Sequence, residues 1–209
     1  MSTPTSSLAS ARSFWLRHLH RWHWISSALC LIGMVLFAVT GITLNHAGQI
    51  EAQPQVTLRT ALLPEPLRAQ WADAEPDAAA RAGLQQWLRD QWQLRSTLDG
   101  LEWDNDELYL PLPRPGGDGW LSADLTSGEV EYEVTDRGWI SWLNDLHKGR
   151  NTGLAWSWFL DLFAVACLVF SLTGLLLLYL HGRQRPGTWP VVGLGLVIPL
   201  VLIVLFMHA

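Results

Sequence analysis

The seven histidines of this 209-residue chain lie beside its long apolar segments, where imidazole can act as a metal ligand. Neutral imidazole binds haem iron, and it also suits copper, non-haem iron and zinc. A single histidine at a membrane surface is usually just a hydrogen-bonded side chain, so the pattern leaves haem, another metal and no metal open. The histidines are His18, His20, His23, His46, His147, His181 and His208.

The spacing of the histidines indicates two separate groups. His20 and His46 flank the first apolar segment. A fully helical segment between them would be about 39 Å long at roughly 1.5 Å per residue. One haem therefore cannot use both side chains, and each needs a partner from another helix. We expect His46 to pair with His147, and His20 or His23 to pair with His181.

Three apolar segments predict a mainly α-helical membrane protein. They cover residues 25–44, 156–180 and 189–207, and each suits one bilayer crossing, which takes about 20 residues. Tryptophans border these segments, as is typical of side chains at a membrane surface. The first segment is longer than the apolar part of a cleaved signal peptide, so it predicts a retained anchor.

The positions of the basic residues predict the orientation in the membrane. Residues 1–24 and the short turn 181–188 carry arginines and no acidic residue. Such segments tend to stay in the cytoplasm. The long connection, residues 45–155, is then outside, between the first and second membrane helices.

Residues 45–155 predict a small α+β domain. A stretch with helical periodicity is followed by short strand candidates, of which the last two flank a Thr-Ser-Gly turn, and by a helix that leads into the second span. We detect no internal repeat in the chain. The predicted elements are a helix over 78–93, strands over 107–111, 119–125 and 129–135, and a helix over 138–148.

The acidic residues limit the classes of partner. The net charge of −5 gives no reason to expect a nucleic acid. A run of carboxylates in the outer domain predicts a solvated turn, with binding of a hard cation as the lesser alternative. The run consists of Glu102, Asp104, Asp106 and Glu107.

Asp161 is the only charged residue of the second apolar segment. A carboxylate within a membrane span is costly and is therefore a candidate for function. One interpretation is that it reaches the surface or pairs with Arg150. The other is that it orients His46 or His147 from the second coordination shell.

Four short motifs resemble those of the PepSY-associated transmembrane family. A His-Arg-Trp triplet precedes the first span, and a Thr-Gly pair followed by Asn-His closes it. A Leu-His-Lys-Gly stretch precedes the second span, which contains a Thr-Gly-Leu motif. These motifs are His20-Arg21-Trp22, Thr40-Gly41 with Asn45-His46, Leu146-His147-Lys148-Gly149, and Ser171-Leu172-Thr173-Gly174-Leu175.

The resemblance implies a function that spacing alone does not. It implies a bacterial inner-membrane protein with a PepSY-like periplasmic domain and one or two haem b groups, which reduces ferric iron or ferric siderophores. His20, His46 and His147 match motif positions, whereas His181 departs from the family pattern and is a candidate by its position alone. Which of His18, His20 and His23 serves on the cytoplasmic side is open, as is the electron donor.

Two alternatives of other classes stand beside the reductase. The chain would be a non-enzymatic binding or regulatory membrane module of the PepSY type, or an accessory subunit of an iron or siderophore transporter. A haem protein is coloured and a binding module is not, so an absorption spectrum separates these classes.

Overall fold

The computed structural model describes residues 5–71, 77–104, 106–182 and 185–207. Six α-helices and five β-strands are present in this part of the chain. In chain order they are α1 (Thr5–Asn45), β1 (Gln55–Leu62), α2 (Glu65–Arg68), α3 (Ala78–Trp92), β2 (Glu102–Asp104), β3 (Glu107–Pro111), β4 (Gly117–Asp124), β5 (Glu129–Asp136), α4 (Trp139–Lys148), α5 (Leu154–His181) and α6 (Thr188–Phe206).

Three helices are long and apolar enough to cross a membrane, as predicted: α1 from Ser13 onwards, α5 and α6. Helix α1 begins at Thr5, so the residues ahead of the predicted first span are helical too. Pro199 lies inside α6, a position that membrane helices tolerate. The connection between α5 and α6 is short, as the sequence predicted.

The chain divides into two compact units, which we call the helical unit (Met1–Leu36 with Trp158–Ala209) and the sheet unit (Phe37–Ser157). In the helical unit the ring of Phe163 lies over Gly33, where no side chain blocks it. The thiols of Cys30 and Cys167 also interact across α1 and α5. Small residues let membrane helices approach closely. Such helices then associate through van der Waals packing, because the hydrophobic effect does not act between them within a bilayer.

The sheet unit contains one antiparallel five-stranded sheet in the order β1-β5-β4-β3-β2. Helix α3 packs on one face, where Leu84 and Leu88 join strand residues such as Leu121 and Val130 in a buried core. The carboxylate of Asp77 caps α3 by accepting the Ala80 N–H at 2.8 Å. This arrangement is the α+β domain that the sequence predicted.

Most predicted elements of the sheet unit agree with the structure to within two residues. Strand β1 was not predicted, because it is an exposed edge strand. The interpretation of the acidic run as a turn was wrong for Glu102 and Asp104, which lie in β2. Glu107 begins β3, as the predicted strand over 107–111 requires, and Asp106 lies in a turn.

The turn between β4 and β5 is held by a carboxylate. Asp124 accepts hydrogen bonds from the Thr126 hydroxyl at 2.6 Å and from the Thr126 and Ser127 N–H groups at 2.7 and 3.0 Å. These bonds, with the Thr126 hydroxyl foremost, lower the pKa of Asp124 from 3.8 to about 2. Gly128 completes the turn with φ of +81°, a conformation that glycine adopts without strain.

Candidate functional site

His23 is held by a threonine, a glycine and a phenylalanine of α5. Its Nδ1 lies 3.0 Å from the Thr173 hydroxyl. Its ring stacks on Phe170 with centroids 4.9 Å apart and an interplanar angle of 14°. A Cβ atom at Gly174 would lie only 3.2 Å from the His23 Cε1 atom, so the glycine leaves room for the ring.

His147 of α4 is held in the same way by α1. Its Nδ1 lies 2.7 Å from the Thr40 hydroxyl. Its ring lies 4.9 Å from that of Phe37, tilted by 42°. A Cβ atom at Gly41 would lie 3.6 Å from the His147 Cε1 atom, which is ordinary van der Waals contact.

The two histidines therefore dock on the same five-residue motif, Phe-x-x-Thr-Gly, which occurs at residues 37–41 of α1 and 170–174 of α5. Phenylalanine and threonine three positions apart lie on one face of a helix, so both can touch one imidazole. We call each motif with its docked histidine a histidine module.

Three other histidines share a second arrangement, in which Nδ1 bonds to the carbonyl four residues earlier. The bonds are His20 to Leu16 O at 2.8 Å, His46 to Ile42 O at 3.0 Å, and His181 to Leu177 O at 3.0 Å. A carbonyl only accepts, so Nδ1 is the protonated nitrogen in each case. In all three rings Nε2 is the nitrogen left for a ligand.

The helical unit brings three of the predicted site residues together. The rings of His20 and His181 lie 5.9 Å apart, nearly perpendicular to each other. His181 and His23 line one cavity of about 520 Å³, to which Gly174 and Arg185 also contribute. The imidazoles of His23 and His181 and the cation of Arg185 therefore line the same cavity.

The predicted pair of His46 and His147 is not joined by any contact described for the sheet unit. His46 is exposed and turns back onto its own helix, whereas His147 is half-buried against Thr40. The His18 ring lies 4.2 Å from that of Phe14, tilted by 59°, and His18 lines an apolar groove with Trp22. His208 lies outside the described residues.

Sequence reasoning missed the residues that position α4. Asp145 is only 3% exposed, accepts the Gly116 N–H at 2.8 Å, and pairs with Arg150 at 2.8 Å. Asn144 accepts a hydrogen bond from the Thr43 hydroxyl at 2.9 Å. These bonds tie α4 to the β3–β4 turn and to the end of α1, and so place His147. In the sequence, Asn144 and Asp145 stand out as two successive polar residues of an amphipathic helix, which could have indicated an anchoring role.

Arg150 pairs with Asp145 in the sheet unit. Asp161 lies on the exposed surface of α5. Its role in orienting His46 or His147 stays a prediction.

No group of three or more His, Cys, Asp or Glu side chains converges as a metal site among the described residues. A bare metal ion usually takes three or four such ligands from the protein. Haem needs fewer, because its macrocycle occupies the equatorial positions and the protein adds only the axial ligands.

Comparison with known proteins places the chain in a family. No curated protein and no solved structure matches it significantly. The family model described as PepSY_TM-like matches residues 14–208. Since this match covers both histidine modules and all three candidate membrane helices, the chain belongs to the PepSY_TM-like family of membrane proteins.

Proposed function

We propose that this chain is a haem b-binding electron-transfer protein of the bacterial inner membrane that reduces ferric iron or ferric siderophores in the periplasm. The observation that carries the proposal is the pair of histidine modules, each of which engages Nδ1 and leaves Nε2 available. Two modules of the same construction support two haem groups rather than one. The arginine distribution supports the proposed cytoplasmic N-terminus and periplasmic sheet unit, and the resemblance of the family motifs supports the inner-membrane location.

The residues around His23 fit a haem group. The shared cavity, at about 520 Å³, is within the roughly 300–1,000 Å³ typical of cofactor sites. His23 and His181 supply imidazole, and Arg185 supplies a cation for carboxylate groups. His23 is thus the favoured ligand among His18, His20 and His23, with His181 or His20 beside it. In the sheet unit His147 is the favoured ligand, with His46 as the expected partner.

Bound haem would supply reversible one-electron exchange at its iron. The chain itself supplies the imidazoles, excludes water with apolar helices and holds the ligand rings in one orientation. Reduction of Fe(III) to Fe(II) lowers the charge of the substrate ion, so oxygen chelators hold it less tightly. The electron would come from a cytoplasmic or quinol donor.

The test is an absorption spectrum of the detergent-purified chain, air-oxidised and then reduced with dithionite, with a pyridine haemochrome assay. We expect a b-type difference spectrum and two haems per chain. His23→Ala and His147→Ala should each remove about one haem, since each deletes one favoured ligand. His18→Ala is the matched control and should keep both, because the His18 ring packs on Phe14 in an apolar groove.

A colourless protein from haem-replete cells would overturn the proposal. The chain would then be a non-enzymatic binding or regulatory module, or an accessory subunit of an iron or siderophore transporter. Loss of one haem in His18→Ala, with both retained in His23→Ala, would contradict the assignment of His23. If haem is present, reduction of a ferric hydroxamate by the dithionite-reduced protein, followed by stopped-flow absorbance, tests the substrate class.

A further inference from the structure

We infer that Thr40 and Thr173 are positioning residues, which take the Nδ1 proton of His147 and His23 and thereby make Nε2 the ligating nitrogen. The inference concerns which ring nitrogen carries the proton. A neutral imidazole has one N–H and one lone pair, and only the nitrogen with the lone pair can bind a metal. The partner of the other nitrogen decides between the two forms.

The hydrogen bonds around Thr173 assign the direction of the proton. Its hydroxyl donates to the Val169 carbonyl at 2.7 Å, with the Phe170 carbonyl at 3.0 Å. A hydroxyl has one hydrogen and a carbonyl has none to give. The Thr173 oxygen is therefore an acceptor towards His23, and the proton between them belongs to Nδ1. The result is a series of hydrogen bonds that runs from the imidazole through the hydroxyl to the backbone carbonyl.

Thr40 has the same two kinds of hydrogen-bond partner as Thr173, namely a carbonyl of its own helix and a histidine. Its hydroxyl lies 3.2 Å from the Phe37 carbonyl, to which it donates, and 2.7 Å from the His147 Nδ1. Both hydroxyls are thus oriented by their own helix before a histidine docks. Linked hydrogen bonds of this kind polarise one another, so the imidazole gains electron density.

Removing either hydroxyl leaves Nδ1 without its acceptor. The proton can then move to Nε2, and His23 is one of the residues that line the cavity. A ring with its proton on Nε2 has no lone pair there to offer. The threonines therefore control whether each histidine is competent to bind, which a contact made only for packing would not do.

The first experiment does not depend on the proposed function. Long-range proton–nitrogen NMR of the haem-free, full-length chain, labelled with ¹⁵N-histidine in detergent micelles, reports the tautomer of each ring. His23→Gln and His147→Gln assign the two signals. We expect the Nδ1–H form for both in the wild-type chain, and retention of that form in Thr40→Ser and Thr173→Ser. An Nε2–H form for either ring in the wild-type chain would overturn the inference.

The second experiment rests on the proposed function and measures haem affinity and midpoint potential. Loss of a hydrogen-bond partner behind a metal-binding histidine typically lowers affinity by about 10-fold or more. We expect Thr40→Val and Thr173→Val each to lower the affinity of one haem by about tenfold. If the loss falls wholly on the ferric form, that site's potential rises by about 59 mV for one electron. Thr40→Ser and Thr173→Ser should restore both values.

The control is Ser26→Ala, which removes a buried hydroxyl that donates only to the backbone carbonyls of Trp22 and His23. It should change neither potential. Equal losses in Ser26→Ala and Thr173→Val would show a structural effect and overturn the positioning role. A chain that binds no haem would overturn the proposed function instead, and the NMR result alone would then decide the inference.

Discussion

The two histidine modules have the same hydrogen bonds but different support. His23 is placed by the packing of α1 on α5 within the helical unit, where apolar contacts and one threonine define its position. His147 is placed by α4, which is bonded to the β3–β4 turn and to the end of α1 within the sheet unit. One module thus depends on helix packing, and the other depends on a folded domain.

The modules also differ in how tightly the ring is enclosed. The His23 ring lies nearly parallel to Phe170 and close to Gly174, whereas the His147 ring is tilted against Phe37 with ordinary clearance from Gly41. A closely enclosed ring tolerates little added volume, because packed interiors relax only in part. The position of the His23 ring should therefore depend on Gly174. The position of the His147 ring should depend instead on the hydrogen bonds that anchor α4.

The largest expected effect comes from the anchor of α4. Asp145→Ala leaves the buried Gly116 N–H without its acceptor, which costs roughly 1–3 kcal/mol of the free energy of unfolding of the sheet unit. If the proposed function holds, we expect haem to bind more weakly at the proposed His147 site and with unchanged affinity at the proposed His23 site. Thermal unfolding in detergent, followed by near-UV circular dichroism, and the haem content of each site measure the effect.

Arg150→Ala is the matched control for the anchor. Its side chain is 55% exposed, so losing the ion pair with Asp145 should cost no more than about 1 kcal/mol. Equal weakening of both haem sites by Asp145→Ala would show that the modules do not have separate supports.

A smaller effect is expected from the two glycines. Gly174→Ala places a Cβ atom 3.2 Å from the His23 Cε1, so the ring must shift, at a cost of roughly 1 kcal/mol. Gly41→Ala meets His147 at 3.6 Å and should be tolerated. Both substitutions share the favourable helix propensity of alanine, so their difference isolates the contact. Haem titrations of the two variants measure it, and similar affinities in both would contradict the difference in enclosure.

The smallest effect is expected from the β4–β5 turn, which touches neither module. The pKa of Asp124 is lowered to about 2 by the fold, so its ionised form is the stabilising one. That contribution is complete above the ordinary pKa of 3.8 and is lost as the pH falls towards 2. NMR titration of the Asp124 carboxyl group checks the pKa. Asp124→Asn should remove this part of the pH dependence of unfolding without changing either haem site.

The sequence predicted the three membrane helices because a bilayer demands long, uncharged runs. It also predicted the hairpin of β4 and β5, whose alternation and Thr-Ser-Gly turn are local signals. It did not predict β1, whose pairing with β5 joins residues far apart in the chain. Nor did it predict the contact of His23 with Thr173, because these two residues lie 150 positions apart in the chain.

The amino-acid sequence alone predicted three apolar helices, an α+β segment, imidazoles at the helix ends and the family motifs. Those features follow from local composition and short-range periodicity. The packing of helices and strands determined that each Thr-Gly motif contacts a histidine, that Asp145 binds both Gly116 and Arg150, and that His46 turns back on its own helix. The physical reason is that a hydrogen bond between distant residues depends on how helices and strands pack, which no local pattern encodes.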